Sequence, residues 1–418
     1  ASCLVGSEMC IRDSYKDRFG EELGTNPQQL AICYTERLSR DYPFLNYYGR
    51  IMALADNQIR LMDKATLEPD SITPYLLGEH YANFMTPYPV PDVSTYKPEW
   101  INEVIGGTRM QIAYNSLYNN NFFMQIGGGR FYTMNHYTLG SSRATVNNQS
   151  PYTDGYISPF GYWDDMSNYE SYGTNMYLGC YTGDFIMFDR NNHRFFYGSG
   201  YGGRTSIEEQ DVPSYPQYDN LLWGSATVIE NNTSVAILNS GDNCRMIVLQ
   251  NGKGGTTGTR DTKKLVKEID CNGVVSAESK FYMMKYNTYL FFTNGDKLYR
   301  YNLLNGINSN MGPGNTPILS LSELGYGPEA KITSMFVSRS EQTLLLGVSR
   351  YGNDSEAAGE EAKGDVLWFD LNASTLEIKY NENRSAKGVA GIPVDVKIKF
   401  QTLWRDGKNY QEELVDQY

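Results

Sequence analysis

An all-β chain arranged as a β-propeller is what this sequence predicts, and three observations predict it. The first is a recurring unit of apolar-alternating strand, tight polar turn and second strand. It reads DFIMFDRNNHRFFY at Asp184–Tyr197, DKLYRYNLLNG at Asp296–Gly306 and DVLWFDLNASTLEIKY at Asp365–Tyr380. Looser copies are NQIRLMDKATLEP at Asn57–Pro69, GRFYTMNHYTLG at Gly129–Gly140 and NCRMIVLQNGKG at Asn243–Gly254. One hairpin cannot bury its own apolar face, so repeated hairpins imply stacked or radial sheets. The second observation is composition: 34 Tyr and 40 Gly suit strands joined by many turns. The third is spacing. From Asp63 to Asn135, Asp189, Gln250, Asn302 and Asp370 the intervals run about fifty to seventy residues, above the usual propeller period. Long loops account for the excess. Seven four-stranded blades are expected, with six as the alternative, and Val394–Trp404 is expected to close the ring on the first blade. Two tandem β-sandwiches explain the recurring units less well.

The elements follow in order. Leu4–Ser14, LVGSEMCIRDS, resembles the in-frame translation of a sequencing-library adapter, so residues 1–14 are set apart as foreign. The natural N-terminus is then expected to be missing, and the lack of a signal peptide or lipidation cysteine carries no information. Residues 15–41 are polar and mixed, a linker or the tail of an upstream domain. Leu30, Cys33, Tyr34 and Leu38 have helical spacing, which predicts a short helix around Pro27–Ser39. Residues 42–418 are assigned to the propeller. Tyr48–Asp63 predicts two strands around a turn at Ala55–Asn57. Thr73–Asn102 carries Pro74, Pro87, Pro89, Pro91 and Pro98, a density that excludes central strands and marks loop. Asn115–Asn135 predicts two strands flanking Gly127–Gly129. Met176–Tyr197, Ala226–Leu249, Lys280–Tyr301, Ile332–Tyr380 and Val394–Trp404 supply the rest. Gly252–Gly258 reads as a turn and Asn353–Lys363 as a solvated acidic loop.

Composition also excludes partners. A net charge of −12 without a lysine–arginine cluster argues against a nucleic-acid backbone. No apolar run is long enough to span a bilayer. With Cys3 and Cys10 in the foreign segment, Cys33, Cys180, Cys244 and Cys271 remain, and none forms a CxxC pair. Cys244 and Cys271 read either as a pair across adjacent strands in an oxidising compartment or as buried free thiols.

No motif for catalysis stands out. GVSRYG at Gly347–Gly352 lacks the second glycine of a nucleophile elbow. His80, His136 and His193 lack the spacing of a zinc protease. GGGR at Gly127–Arg130 and YGGR at Tyr201–Arg204 do not open helices, so they read as turns and not as phosphate cradles. NDSE at Asn353–Glu356 is oxygen-rich enough to hold calcium but has no EF-hand spacing, and no cofactor is otherwise expected. The segment Ser141–Asn175 differs from the rest. It sets many rings among Asn, Ser, Gly and Asp, and long ring-rich loops are usually ordered and often functional. Tyr152, Tyr156, Tyr162, Trp163 and Tyr169 are the candidate stacking residues, with Asp164, Asp165 and Asn175 as hydrogen-bonding partners for a glycan or peptide.

A family resemblance adds to this reading. SAESKFYMMKYNTYLFFTNGDKLYRYNL (Ser276–Leu303), ITSMFVSRSEQTLLLGVSRYGND (Ile332–Asp354), GDVLWFDLNASTLEIKY (Gly364–Tyr380) and GIPVDVKIKF (Gly391–Phe400) resemble the PKD-like family of surface lipoproteins of Gram-negative gut bacteria. NFFMQIGGGRFYTMN (Asn121–Asn135) and FIMFDRNNHRFFY (Phe185–Tyr197) fit the same pattern more loosely. The resemblance implies a lipid-anchored N-terminus, a PKD-type module of which residues 15–41 would be a remnant, and a C-terminal propeller. It also implies an outer-membrane, cell-surface location beside a nutrient-uptake system, and it brings no catalytic residues. The expected function is non-enzymatic binding of glycan or peptide through the aromatic loop. An assembly role in the uptake complex is the alternative, and a propeller-type glycoside hydrolase or lyase is a third reading.

Overall fold

The chain is all-β and belongs to the β-propeller class. The structure is a computed structural model. It describes residues 2–5, 9–10, 19–20, 24–39, 42–56, 58–63, 98–104, 121–126, 130–135, 157–159, 169–173, 182–189, 193–201, 204–209, 212–228, 233–251, 263–284, 288–338, 341–352, 363–389, 391–398, 400–405 and 409–414. Two compact units result, one formed by residues 23–210 and the other by residues 1–22 with 211–418.

At the N-terminus β1 (Ser2–Val5) pairs with β2 (Met9–Cys10). The first unit then opens with β3 (Pro27–Ser39), β4 (Tyr42–Ala55) and β5 (Gln58–Asp63), a three-stranded meander. The helix expected over Pro27–Ser39 is corrected here. That stretch is a strand along β4, with Ile32 opposite Ile51, so the sheet begins upstream of Tyr42. Leu30 is buried in it, and cross-strand pairing outweighs a weak helical spacing. Next come β6 (Pro98–Val104), β7 (Asn121–Ile126), β8 (Arg130–Asn135) and β9 (Ile157–Pro159). β6 corrects the end of the expected Pro-rich loop. Its Pro98 is the first residue of an edge strand, where the missing N–H is tolerated. The third sheet is β10 (Tyr169–Gly173), β11 (Thr182–Asp189), β12 (Arg194–Tyr201) and β13 (Arg204–Glu209). Phe188 and Phe195, opposite one another, are fully buried with ring centroids 5.3 Å apart. His193 takes the left-handed turn position between β11 and β12, edge-on to Phe188.

The second unit repeats the same design. Its sheets are β14 (Asn220–Val228), β15 (Thr233–Ser240), β16 (Asn243–Asn251) and β17 (Lys263–Asp270), followed by β18 (Phe281–Met283), β19 (Tyr289–Asn294) and β20 (Lys297–Asn302). After β20 the hairpin copy at Asp296–Gly306 departs from expectation. Its second arm is a helix, α1 (Leu303–Ser309), because the Asn302 carboxamide oxygen caps Leu304 N–H at 3.0 Å. Asn310, left-handed, ends it. β21 (Leu319–Ser320) completes that sheet. The last meander is β22 (Lys331–Val337), β23 (Thr343–Ser349), β24 (Gly364–Asn372) and β25 (Glu377–Tyr380), with β26 (Ala386–Val389) also on β24. Six successive meanders are thus described, each pairing strands that follow one another in sequence, as propeller blades do.

Closure differs from the expected scheme. β27 (Asp395–Ile398) pairs in parallel with β1, not with the sheet that contains Tyr48–Asp63. β28 (Phe400–Arg405) folds back on β29 (Asn409–Leu414). The approach to β27 is pinned instead on its own unit. Thr333 and Ser334 hydroxyls donate to the Pro393 carbonyl at 2.6 and 3.1 Å. Gly347 makes room for this contact, since a Cβ there would lie 2.2 Å from Ser334 Oγ and 2.9 Å from Pro393 Cβ.

Neighbouring sheets share their cores face to face. Val235, Ile237, Met246, Val248 and Ile269 of β15–β17 form one cluster with Leu290, Phe292 and Tyr299 of β19 and β20. Phe291 and Leu298, on the other face of those strands, join Leu344, Leu346, Leu367 and Phe369 of β23 and β24. Turns are tied by acids. Asp56, left-handed between β4 and β5, accepts from Thr25 N–H, Thr25 hydroxyl and Asn26 N–H at 2.8–3.0 Å. Gly241 and Gly295, both at φ +58°, turn β15 into β16 and β19 into β20. The aspartates that follow them each hold a later segment: Asp242 accepts from Ala277 N–H in the connection to β18, and Asp296 accepts from the Ser320 hydroxyl of β21. Phe292 is the centre of the shared core. We expect Phe292→Ala to lower the unfolding free energy by about 3–5 kcal/mol, measured by urea denaturation.

Candidate functional site

Three first strands set the site. β14 approaches β18, and β18 approaches β22, so the leading edges of three successive sheets lie side by side in the second unit. Their half-buried side chains form a rim: Leu222 and Trp223 of β14, Phe281 and Tyr282 of β18, Met335 and Phe336 of β22. Strand alternation explains why both faces contribute. Phe281 packs toward the β14–β17 side and Tyr282 toward the β22–β25 side.

The rim continues into the core as an aromatic ladder. The Trp223 ring lies 5.8 Å from Phe281, Phe281 lies 6.3 Å from Phe292, and Phe292 stacks on Tyr299 at 5.1 Å and 8°. Phe281, Phe292 and Tyr299 are direct cross-strand partners on β18, β19 and β20. Each such pair adds about 0.5–1.5 kcal/mol beyond area burial and holds the outer rings in place. Charges alternate around them. Lys331 Nζ sits 3.6 Å from Glu278, and Lys397 Nζ lies 5.1 Å from the Phe336 ring centroid and 3.8 Å from Asp395. The Tyr282 hydroxyl donates to Glu341 Oε1 at 3.2 Å, and Glu341 is buried at a left-handed φ of 57° before β23. Fixed rings beside donors and acceptors can stack on a flat or ring-shaped ligand and orient it.

A second polar network lies at the far end of β23. Asp365, 1% exposed, accepts Arg350 Nε at 2.9 Å and Nη2 at 2.6 Å, the Tyr326 hydroxyl at 2.6 Å and Gly388 N–H at 2.6 Å. Burial by itself would raise the Asp365 pKa. The Arg350 and Tyr326 hydrogen bonds and the Gly388 N–H outweigh it and hold the carboxyl below its ordinary value. The same Asp365 hydrogen bond leads the effects that raise the Arg350 pKa. Burial, then the Asp365 carboxylate, pushes the Tyr326 phenol well up, so it remains a donor. A carboxylate with four donors has no capacity left for proton transfer. Asp365 joins four parts of the chain, and its ion pair with Arg350 ties together the two sides of the connection that runs between them.

Asp365 and Glu341 do not form a glycosidase pair. They stand at opposite ends of the 7-residue strand β23, about 20 Å apart, whereas such pairs need roughly 5–9.5 Å. Ser349, in the GVSRYG segment, is fully buried and donates to the Gly352 carbonyl at 2.6 Å, a turn bond. Among the described residues no group of three or more His, Cys, Asp or Glu could hold a metal.

The aromatic segment Ser141–Asn175 is interrupted by two strands, β9 and β10. Tyr169 is therefore a strand residue, opposite Asp189 of β11, and not part of a loop. Backbone pairing along Tyr169–Gly173 overrides the turn-rich composition of its surroundings. Tyr152, Tyr156, Tyr162, Trp163, Asp164, Asp165 and Asn175 lie outside the described residues, as does Asn353–Glu356. Trp223 and Phe281 escaped the sequence reading. Their signal, a bulky ring in a short apolar run just before a hairpin, is shared by most core strands. Asp365, Arg350 and Tyr326 had none, being 15 and 39 residues apart.

No protein-family model matches the chain, and no curated protein matches it. Solved structures resemble it in fold. A post-proline cleaving enzyme from Rickettsia typhi aligns with a TM-score of 0.41 at 9% identity, over 89% of this chain and 48% of the enzyme. This chain thus spans about half of that protein. The Swd1 β-propeller domain from Myceliophteria thermophila aligns at 0.41 and 7% identity, over 87% and 91%. An oligogalacturonate lyase from Vibrio parahaemolyticus aligns at 0.29 and 10% identity, over 67% and 66%. They include two enzymes and a β-propeller domain, and at these scores none bears on activity.

Breaking one partner of the Asp365 pair should be costly. Arg350→Met is expected to destabilise by about 3–5 kcal/mol in urea denaturation, because it strands a buried carboxylate. The pH dependence follows from the lowered pKa. The stability Asp365 contributes is complete above the unfolded value of about 4 and is lost as pH falls through the lower folded value. Asp365→Asn should therefore lower stability at pH 7 and flatten its fall below about pH 4, as read from melting midpoints against pH.

Proposed function

We propose that this protein is a non-enzymatic, cell-surface binding propeller that serves an outer-membrane nutrient-uptake system and recognises glycan or peptide. The observation that carries the reading is the rim of half-buried rings, Trp223, Phe281 and Tyr282, on adjoining first strands beside Lys331 and Glu278. Rigid rings offer a large contact area at small entropic cost, which suits sugar faces and peptide side chains. The resemblance of Ser276–Leu303 and Gly364–Tyr380 to PKD-like surface lipoproteins supports the setting, with a lipid anchor upstream of the present chain. The ring-rich segment around Trp163 would supply further contacts to the same ligand class.

Soluble glycans and peptides, titrated calorimetrically, test the proposal. We expect saturable binding to one of these classes, weakened about tenfold by Trp223→Ala and by Trp163→Ala with the far-ultraviolet circular dichroism unchanged. Binding confined to an outer-membrane protein would replace ligand recognition by an assembly role. Turnover of a bound glycan would overturn the non-enzymatic reading.

A further inference from the structure

Two buried cysteines lie at one end of a strand pair, Cys244 on β16 and Cys271 one residue past β17. β16 and β17 run antiparallel with Arg245 opposite Asp270, Met246 opposite Ile269 and Ile247 opposite Glu268. Extending that register by one residue sets Cys244 opposite Cys271. Alternation puts both on one face, with Met246, Val248 and Ile269, and all five belong to the same core cluster. Directly opposed residues of an antiparallel pair have Cα atoms about 4.5–5.5 Å apart, inside the disulfide range of about 4.4–6.8 Å. Cys244 is 5% exposed and Cys271 is fully buried, and both are thiols in this structure.

We propose that Cys244 and Cys271 are a disulfide-forming pair that stitches β16 to β17 across the connection at residues 252–262, and that the bond is made during folding. The chemistry is thiol–disulfide exchange with a small-molecule disulfide. One cysteine thiolate attacks the reagent, forms a mixed disulfide and expels one thiolate. The second cysteine thiolate attacks the protein sulfur of that mixed disulfide and expels the other. The cysteine pair loses two protons and two electrons, and the reagent becomes two thiols. The core explains the timing. Burial raises the Cys244 thiol to about 11, and burial followed by the nearby Cys244 raises Cys271 to about 12. Thiolate is therefore scarce once the sheet is packed, and exchange is fastest before packing. The pairing is independent of the ligand proposed above.

The full chain tests this without any variant. It is unfolded, refolded in glutathione disulfide with glutathione or in dithiothreitol, alkylated under denaturing conditions and mapped by mass spectrometry. A peptide linking Cys244 to Cys271 is expected in the first sample only, with a melting midpoint roughly 5 °C above the second. Already folded, reduced protein should form the link at least about 100-fold more slowly than the unfolding-and-refolding chain. Both cysteines alkylated after oxidative refolding, or either joined to another cysteine, would overturn the pairing. Equal rates from folded and unfolded protein would overturn its timing. The double variant Cys244→Ala/Cys271→Ala should abolish the difference in melting midpoint between the two refolding conditions.

Discussion

Burial on both faces of inner strands such as β19 and β23 is the constraint from which the rest of the second unit follows. Every residue of β23 is buried, and β19 is buried along its central four positions. A single meander leaves one such face in water, so each sheet needs a neighbour on either side. The β18–β21 sheet shows the result. Phe292 and Tyr299 fill the cluster shared with β15–β17, while Phe291 and Leu298 fill the one shared with β22–β24. In the second unit the face-to-face stacking brings the first strands β14, β18 and β22 together along one edge.

Stacking of this kind places demands on the polar groups at the sheet ends. The connections between sheets cannot join the ladders, so side chains satisfy them. Asp56 and Asp242 do so at tight turns, where a left-handed residue frees the aspartate to accept from a separate segment, and Asp296 at a like turn accepts from Ser320 of β21. Asp365 does it where the turn is replaced by a longer loop. A buried carboxylate is tolerated there because four donors replace its hydration. Asp365, which its burial would otherwise mark as a catalytic candidate, is thus committed to holding the end of a sheet.

The same geometry separates scaffold from site. Rings deep between sheets are fixed by cross-strand partners, as Phe292 is by Phe281 and Tyr299. Rings at the leading edge share that support yet keep part of their surface open, as Trp223 and Phe281 do. Such residues are held rigid from behind and can contact a partner in front.

Strand identity and fold class were legible because they rest on local alternation. The hairpins at Asp184–Tyr197 and Asp365–Tyr380 lie where the pattern placed them. Local pattern failed where a longer-range contact decided the outcome. Pro27–Ser39 has helical spacing but found a partner in Tyr42–Ala55. Leu303–Ser309, by contrast, turns helical after a strand through a local contact, the Asn302 cap on Leu304. Tyr169, read as a loop residue, was drawn into a strand by Asp189. The amino-acid order by itself determined that the chain would form successive antiparallel hairpins with apolar stripes. Only tertiary packing decided which edges adjoin, that Arg350 and Tyr326 meet on Asp365, and that Trp223 meets Phe281. Those contacts join residues whose spacing along the chain has no period, and they exist only once neighbouring sheets have covered each other's faces.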